Sequence, residues 1–433
     1  MTSSSARLTV TVEGTGDFES LMARLRRRGE TDLERVEPAV RAILAEVRSE
    51  GDRALAHAVE RFEKRKPARF LLKDYGGKEA LEGLPAPLRS TLVLAAERIR
   101  RFHEKQREGL FGFELDEGGV RLATRVEPLA RVGVYAPGGK ARYPSSVLMS
   151  AVPAAVAGVA EIIVASPDAG AEVRAACHLA GVSALLDAGG AQAIAALAYG
   201  TESVPCVDKI VGPGNIYVAA AKRLVFGEVG IDSIAGPSEI LVVADDTADP
   251  AVVAADLLSQ AEHDEASYPL LVTTSRELVE RVQTELAAQL ETLPRRAIAE
   301  ASVRGQGAAL VVASRERLAR VTSELAPEHV AVQTREPREL AASMRAAGAI
   351  FVGNQTPEAA GDYLAGPSHV LPTGGAARYA SPLGVYDFVR RTSVIEYTAD
   401  ALGGQSEPIA TFARAEGLEA HARAVELRTK RSS

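Results

Sequence analysis

The chain has 433 residues, which is too long for one ordinary hydrophobic core and predicts two or more domains. Apolar residues make up 46% and charged residues 25%, which are ordinary values for a globular protein. The 50 basic and 57 acidic residues leave a net charge of −7, which argues against a nucleic-acid partner. The two cysteines, Cys177 and Cys206, exclude a disulfide framework and favour a reducing compartment.

No stretch of the sequence has the properties of a membrane span or a secretion signal. The most apolar window, residues 147–165, is interrupted by Pro153 and Glu161 and predicts a helix followed by a strand. The first 18 residues lack an apolar segment of signal-peptide length and carry acidic residues early. We therefore predict a cytoplasmic protein without a membrane partner.

The first part of the chain is predicted to be helical after a short arm. A basic helix is expected from Asp17 to Arg28. Two further segments carry apolar residues at helical spacing, which are Val36, Val40, Ile43 and Val47, and then Leu88, Leu92, Ala95, Ile99 and Phe102. Gly118-Gly119 then predicts the turn of a β-hairpin.

Two runs of short apolar strands follow. The first run predicts strands at residues 131–135, 161–165, 183–186 and 209–211, with helices near 145–158, 172–180, 191–199 and 215–226. The second run predicts strands near residues 239–243, 270–274, 308–312, 329–333 and 349–352. Alternation of this kind is typical of a parallel sheet with helices on both faces. The predicted fold class is therefore α/β, with two doubly wound, Rossmann-like α/β/α halves.

Residues 231–263 join a loop, a strand and a helix into one unit. The turn signal Ala-Gly-Pro-Ser delivers Ser238 to the start of an apolar, β-branched run. An Asp-Pro pair at 249–250 then predicts the N-cap and first turn of a helix that ends in Gln-Ala-Glu-His. Gln260 and His263 are three residues apart, so on that helix their side chains share one face and can converge on one ion or ligand.

Three predicted strand ends carry glycine turns, at residues 135–139, 187–192 and 211–215. The dinucleotide fingerprint G-x-G-x-x-G does not follow any of these strands. In a parallel sheet such turns lie beyond the carboxyl ends of the strands, where helix N-termini can receive phosphate. Any one turn is more simply a tight connection, whereas three turns at one edge indicate a ligand.

The sequence has no strong metal-binding pattern of its own. Zinc ligands in proteins are mostly Cys, His and carboxylates. The candidates include seven histidines among which composition cannot choose, namely His57, His103, His178, His263, His329, His369 and His421. A lone histidine is more often structural than a ligand, and we interpret His103 as a surface or core side chain.

Residues 231–263 resemble the signature segment of the histidinol dehydrogenase family, and the resemblance extends through GDYLAGPSHVLPT (361–373) and EGLEAHA (416–422). That family oxidises L-histidinol through L-histidinal to L-histidine, with two NAD per substrate and one zinc ion per subunit. It is grouped with aldehyde dehydrogenases by architecture. Its members form homodimers in which the C-terminal tail contributes to the partner's active site. The resemblance implies the same fold, activity, cofactors and assembly here.

The resemblance also assigns roles to individual residues. Those implied to bind NAD are Tyr135, Gln192 and Asn215. Those implied to bind the divalent ion are Gln260, His263, Asp362 and His421. Those implied to contact the substrate are Ser238, Gln260, His263, His329, Asp362, Glu416 and His421. His369 lies close to Asp362 in sequence, but no role is assigned to it.

Together these expectations divide the chain into four parts. Residues 1–28 form an N-terminal arm and helix. Residues 29–131 and 239–377 form a first α/β domain with the metal and catalytic residues, and residues 132–238 form a second α/β domain on the NAD side. Residues 378–433 form a dimerisation tail that is too small to bury a core alone.

Glu328 and His329 are the predicted catalytic pair. Pro327 disfavours a helical Ala326, so one helix should end there and a strand should begin at about His329. A histidine titrates near neutrality and can take the hydroxyl proton as hydride leaves, while a carboxylate can activate the water that adds to the aldehyde. Neighbouring strand residues point to opposite faces, so both can serve one site only at an irregular strand start.

Three other readings are compatible with parts of the sequence. A cysteine-dependent aldehyde dehydrogenase would use Cys206 rather than Cys177, which lies in an alanine-rich helix. A relative that oxidises another small polyol or a sulfonated diol should lack the groups that recognise imidazole and ammonium. A non-catalytic metal- or nucleotide-binding module would leave the Glu328-His329 pair without a purpose.

Overall fold

The computed structural model describes residues 6–28, 33–138 and 143–430. Gly139 of the first predicted glycine turn and the outermost residues of the predicted arm and tail, 1–5 and 431–433, lie outside these ranges. Within the described ranges the strands are β1 (Thr9–Val12), β2 (Leu71–Leu72), β3 (Phe113–Asp116), β4 (Val120–Pro128), β5 (Arg131–Tyr135), β6 (Glu161–Ala165), β7 (Ala184–Leu186), β8 (Lys209–Val211), β9 (Gly230–Ile231), β10 (Glu239–Ala244), β11 (Tyr268–Thr273), β12 (Ala308–Val311), β13 (His329–Gln333), β14 (Ala349–Val352) and β15 (Val389–Tyr397).

The α-helices in the same ranges are α1 (Gly16–Arg26), α2 (Leu33–Glu50), α3 (Asp52–Glu63), α4 (Gly77–Gly83), α5 (Ala86–Arg107), α6 (Pro144–Ala157), α7 (Ala171–Ala180), α8 (Gly190–Tyr199), α9 (Ile216–Val225), α10 (Pro250–Ala261), α11 (Arg276–Leu290), α12 (Arg296–Gly305), α13 (Arg315–Leu325), α14 (Pro337–Ser343), α15 (Glu358–Tyr363), α16 (Ala399–Ala415) and α17 (Glu419–Lys430). Short 3₁₀ helices occupy Ala376–Arg378 and Val385–Phe388. Of the helices described, none is both long enough and apolar enough to cross a bilayer.

The first sheet has the strand order β1-β12-β11-β10-β13-β14, and all its neighbouring strands are parallel. Alternate residues of β10 face its two sides, because Ile240 and Val242 pack against α10, α11 and α12. Leu241 and Val243 instead pack against α1, α13 and α14. Helices therefore cover both faces, as in a doubly wound fold.

The second sheet has the strand order β2-β7-β6-β5-β8-β9. Its strands are parallel apart from the two-residue β2, which is antiparallel to β7. Val132 and Val134 face α5, α6 and α7, whereas Ile163 and Ile210 face α2, α3, α8 and α9. The two doubly wound halves predicted from the sequence are confirmed.

A small third sheet and a helical tail complete the described chain. The predicted hairpin turn is present, since Gly118 and Gly119 have φ values of 61° and 89° between β3 and β4. β15 pairs antiparallel with β4 along its whole length. Helices α16 and α17 then pack on each other. The tail thus consists of a strand followed by two helices, as expected.

The packing corrects the predicted domain division in two places. Helices α2 to α5 were assigned to the half that contains residues 239–377, but they pack on the second sheet, of residues 131–231. The predicted N-terminal arm contributes β1, which is an edge strand of the first sheet and pairs with β12. Periodicity predicts that a helix has an apolar face, but it does not specify which sheet that face will cover.

Candidate active site

The predicted catalytic pair lies at the amino end of β13. The preceding helix ends at Leu325, and Ala326 is left-handed with φ 44° before Pro327. Glu328 therefore precedes the strand, and His329 is its first residue. Because Glu328 is outside the regular strand, the rule that neighbouring residues face opposite sides does not apply. The side chains of Glu328 and His329 therefore lie next to each other.

Glu239, the first residue of β10, holds both members of the pair. Its N–H donates to Glu328 Oε2 at 2.8 Å, and its carbonyl oxygen lies 2.9 Å from His329 Nδ1. Glu328 Oε2 lies 3.5 Å from the same nitrogen. Since both neighbours of Nδ1 are acceptors, that nitrogen carries a proton, and Nε2 is the nitrogen that can take or release one.

The carboxylates of Glu358 and Asp362 lie near this buried imidazole, and the side-chain amide of Gln260 binds Glu358. His329, Glu358 and Asp362 have ligand atoms within 4.8 Å of one another, and Glu358 Oε1 lies 3.7 Å from His329 Nε2. Glu358 accepts hydrogen bonds from Ser259 Oγ at 2.8 Å and from Gln260 Nε2. Gln260 Oε1 is buried without a hydrogen-bond partner. The orphaned oxygen and the neighbouring carboxylates fit a divalent cation.

Charge and burial shift the pKa values in this cluster. Burial alone would lower the pKa of His329, but the carboxylates of Glu328, Glu358 and Asp362 outweigh it and raise that pKa to about 10. Burial raises the pKa values of Glu358 and Asp362, and negative charge on neighbouring carboxylates raises both further. A bound cation at this position would lower the pKa values of all three groups.

The remaining predicted ligands and substrate contacts from this half lie around the cluster. His263 lies just past the C-cap of α10 rather than inside the helix, is exposed, and exerts a charge effect on Asp362. The half-buried His369 has Nδ1 3.7 Å from Asp362 Oδ1. Ser238 is half-buried directly before β10. The residues around this cluster were thus mostly predicted, largely through the resemblance, with Glu358 as the exception.

Glu358 had a sequence signal that was not used. It occupies the first position of α15, four residues before Asp362, so the two carboxylates share one helical face. Burial of an acid cannot be read from sequence, and an exposed i,i+4 pair of acids is ordinary.

Glu416 and His421 are not brought to the cluster within the single chain. Glu416 is the C-cap of α16, and His421 lies in the first turn of α17. Both are exposed. Their predicted roles require the tail to reach an active site by assembly of subunits.

A separate cavity of about 850 Å³ lies at the carboxyl edge of the second sheet. Its lining includes all three residues predicted to bind NAD, Tyr135, Gln192 and Asn215. The described parts of all three glycine turns reach this cavity. The turn after β8 needs glycine at residue 212, because φ is 107° and a Cβ would lie 2.3 Å from the carbonyl oxygen of Tyr135.

Hydrogen bonds already organise the walls of this cavity. Tyr135 Oη accepts from the N–H of Gly190 at 3.0 Å, and Gln192 Nε2 donates to Glu63 Oε1 at 3.1 Å. Asn215 caps α9 by accepting from two backbone N–H groups. The size, the glycine edges and the helix N-termini suit a dinucleotide.

Helix α3 and the segment after it supply a salt-bridge network that the sequence did not reveal. Arg65 pairs with Glu63 at 2.5 Å and with Asp187 at 2.6 Å, next to the glycine turn after β7. Glu63 also accepts from the N–H of Gly189 at 2.9 Å. The network ties a segment far away in sequence to the cavity edge.

The two parallel halves, the glycine-edged cavity and the buried Glu-His pair define an α/β dehydrogenase. A family model described as histidinol dehydrogenase matches residues 26–429. The chain belongs to the histidinol dehydrogenase family, and it is an NAD-dependent oxidoreductase of the final step of histidine biosynthesis.

Individual relatives cover nearly the whole chain. Histidinol dehydrogenase of Syntrophotalea carbinolica is 50% identical over 422 residues, which are 96% of this chain and 98% of the relative. That of Aquifex aeolicus is 49% identical over 406 residues, with 93% and 95% covered. The crystal structure of histidinol dehydrogenase from Elizabethkingia anophelis matches with a TM-score of 0.90 and 32% identity, covering 98% of each chain.

Proposed function

We propose that the chain oxidises L-histidinol through L-histidinal to L-histidine and passes two hydrides to two NAD molecules. One alcohol, one water and two NAD then give one carboxylate, two NADH and three protons. The observation that carries this proposal is the Glu328-His329 pair, in which a carboxylate and an imidazole lie 3.5 Å apart on a shared backbone anchor. The pair supplies both proton-transfer groups that the two oxidations need.

His329 is the proposed base of the first oxidation. Its Nδ1 proton is held by the carbonyl of Glu239. Once a bound ion opposes the carboxylates that raise the pKa of His329, Nε2 would take the hydroxyl proton as the hydride leaves the same carbon. Ser238, directly before Glu239, is placed to contact the substrate at this edge of the sheet. The product of this step is the aldehyde and one NADH.

Glu328 is the proposed group that activates water for the second oxidation. Its carboxylate takes a proton from a water molecule as that water adds to the aldehyde carbon, which gives the anion of the hydrated aldehyde. This anion then passes the remaining hydride of that carbon to a second NAD and becomes the carboxylic acid. Side-chain exposure of Glu328 is 10%, so the carboxylate is sheltered yet not sealed from the site.

A divalent ion, normally zinc, is proposed on Gln260, His263, Asp362 and His421. Gln260 supports this assignment because its Nε2 donates to Glu358, which leaves Oε1 free to be a metal ligand. When bound, the ion supplies an anchor for the substrate imidazole and amine and positive charge that opposes the carboxylates around His329. An ion held instead by His329, Glu358 and Asp362 would occupy the nitrogen that the proposed base needs.

A homodimer with a shared active site is proposed because the tail and the third sheet carry large exposed apolar side chains. These include Phe111 at 73%, Phe113 at 61%, Ile395 at 66%, Phe412 at 70% and Leu427 at 59% exposure. Apolar exposure on this scale favours contact with another protein surface. A second copy seated there would bring the tail's Glu416 to the substrate ammonium and His421 to the ion.

Of the two cysteines, Cys177 is unsuited to a thiol-dependent mechanism. Burial raises the pKa of Cys177 to about 12, so this residue is a poor source of a thiolate nucleophile. Cys206 is exposed, and both cysteines are free. Free thiols also fit the proposed location in the cytoplasm.

The first test is the number of NADH molecules formed per L-histidinol consumed with excess NAD. We expect two for the native chain, with activity lost on chelation and restored by zinc. Glu328→Gln should lower the ratio toward one and let L-histidinal be trapped by semicarbazide. Glu324→Gln, an acid near the end of α13 and four residues before Glu328, is the matched control and should keep the ratio at two. One NADH with released aldehyde from the native chain would contradict the water-activating role.

The shared site is tested by pairing two inactive variants, His421→Ala and His329→Ala, with different affinity tags in one cell. If the tail crosses between subunits, one site of each hybrid dimer combines a native body with a native tail, so activity returns. If the tail serves its own subunit, both sites of the hybrid carry one defect and activity stays absent. Each variant purified alone is the control.

A further inference from the structure

Glu239 is joined to the catalytic pair by its side chain as well as by its backbone. Its carboxylate Oε2 accepts from the N–H of Glu328 at 3.2 Å, while its own N–H donates to the carboxylate of Glu328 at 2.8 Å. Its Oε1 accepts from the N–H of Gly374 at 2.5 Å. The two glutamates therefore hold each other reciprocally, and the carbonyl of Glu239 fixes the ring of His329.

Arg28 completes this arrangement from the other end of the chain. Its side chain is fully buried, and Nη2 donates to Glu239 Oε2 at 2.7 Å and to the carbonyl oxygen of Leu325 at 2.8 Å. Nη1 donates to the carbonyl oxygen of Leu25 at 2.8 Å. The guanidinium thus connects the end of α1, the end of α13 and the start of β10 behind the catalytic pair.

A contribution to stability alone does not explain the buried ion pair of Arg28 and Glu239. Two charges taken out of water lose much hydration, and well-packed apolar residues of similar volume often stabilise a fold as well or better. What apolar residues cannot do is accept from the N–H of Glu328 and hold the start of β13 in register with β10. The location of the buried pair, directly behind Glu328 and His329, points to orientation as its purpose.

We propose that Glu239 and Arg28 are positioning residues that hold the carboxylate of Glu328 and the ring of His329 in their working orientations. This inference rests on the proposed roles of Glu328 and His329. Neither positioning residue contacts the substrate or the ion in this arrangement. Their loss should therefore lower kcat for both oxidations while leaving the KM for L-histidinol nearly unchanged.

The test uses Arg28→Met and Glu239→Gln, each measured as purified, zinc-loaded enzyme. Methionine fills similar space but leaves the carboxylate of Glu239 unpaired beside that of Glu328. Glutamine replaces an acceptor with an amide that cannot serve Arg28, Gly374 and Glu328 together. We expect kcat to fall about 10- to 100-fold, as for other residues that orient a functional group, with KM within about threefold.

Two readouts separate positioning from loss of stability. The Nδ1 proton of His329 should give a distinct downfield NMR signal in the native chain, which Glu239→Gln and Arg28→Met broaden or shift. Disorder of Glu328 should also lower the yield of NADH per L-histidinol below two. Arg28→Lys, which keeps a charge at the site, should recover part of the lost kcat.

Met22→Ala is the matched control, because Met22 is buried in α1, six residues before Arg28, and packs in the core without a hydrogen bond to this site. It should lower Tm by a similar amount yet keep kcat within twofold and the NMR signal unchanged. An equal loss of kcat in Met22→Ala would overturn the inference. So would native kcat and native NADH yield in both Arg28→Met and Glu239→Gln.

The proposed function fails by a different result, which is a native chain that makes no NADH from L-histidinol. If Arg28→Met does not fold, Arg28→Lys and Glu239→Asp take its place, because both keep the charge of the side chain and change its length. A native NMR signal and native kcat in both conservative variants would then contradict the positioning role.

Discussion

Asp256 offers a direct test of how the site's buried charge affects stability. It lies in α10, one turn before Gln260, and is 8% exposed. Its Oδ2 accepts from Gln333 Nε2 at 2.6 Å. Burial outweighs that hydrogen bond and raises the pKa of Asp256 from 3.8 to about 6. The folded state therefore favours the protonated acid, and at neutral pH the ionised form weakens folding.

The size and the sign of the effect follow from linkage. Between pH 3.8 and about 6 the unfolded chain has lost this proton while the folded chain still holds it, so stability falls as pH rises. Above that window the full cost is about 3 kcal/mol, and at pH 5 about half of it is present. Asp256→Asn keeps an oxygen acceptor for Gln333 and removes the charge. It should raise the free energy of unfolding at pH 7.5 by about 2–3 kcal/mol and at pH 5 by about 1–2 kcal/mol.

Urea unfolding at fixed protein concentration, at both pH values, measures this difference. Asp249→Asn is the control, because Asp249 is an exposed cap of the same helix and asparagine caps equally well. The argument would be refuted if Asp256→Asn did not raise the free energy of unfolding, or if it raised it equally at the two pH values. A change in the m-value would show that the mutation altered the unfolded chain instead.

Three further predictions concern the ion, the thiols and the cofactor cavity. Glu358→Ala should weaken zinc binding about 10- to 100-fold, measured by competition with a chromogenic chelator, because the Gln260 amide loses the acceptor that orients it. Unchanged zinc affinity would contradict that role. Replacing Cys177 and Cys206 together by alanine should leave turnover within about twofold, and a loss of several orders of magnitude would favour the thiol mechanism. Arg65→Met should raise the KM for NAD about tenfold without changing the NADH yield, because it frees the turn at Asp187. An unchanged KM for NAD would show that the network is not needed to shape the cavity.

Local sequence signals predicted most of the elements. The nine strands predicted for the two large sheets are short apolar runs, and their positions agree with the structure within about two residues, whereas β1, β2 and β9 were not predicted. The N-cap of α10 is another case, since Asp249 Oδ1 accepts from the N–H of residue 251 as the Asp-Pro signal predicts. The sequence could not show that β1 would join a sheet made mostly of residues 239–352, because strand pairing over such a separation leaves no local pattern.

The site was predictable to the extent that motifs carried it. The Glu328-His329 pair and Gln260 were found from the segment in which they stand. The buried Arg28–Glu239 pair was missed, because each residue alone looks like an ordinary charge at the end of an element. A buried ion pair becomes visible only when two distant segments are placed together.

The pairing of β1 with β12 also has a consequence for synthesis of the chain. Residues 9–12 are translated long before residues 308–311, and at roughly 5–20 residues per second the interval is about 15 to 60 s. During that time all strands of the second sheet, which ends at residue 231, have been made, so this half can fold on the ribosome. β1 and the apolar face of α1 cannot pack until β12 and α13 have also been made. The proposed catalytic pair follows β12 in the chain, so the sheet that carries it is completed only when β1, from the beginning of the chain, has paired with β12.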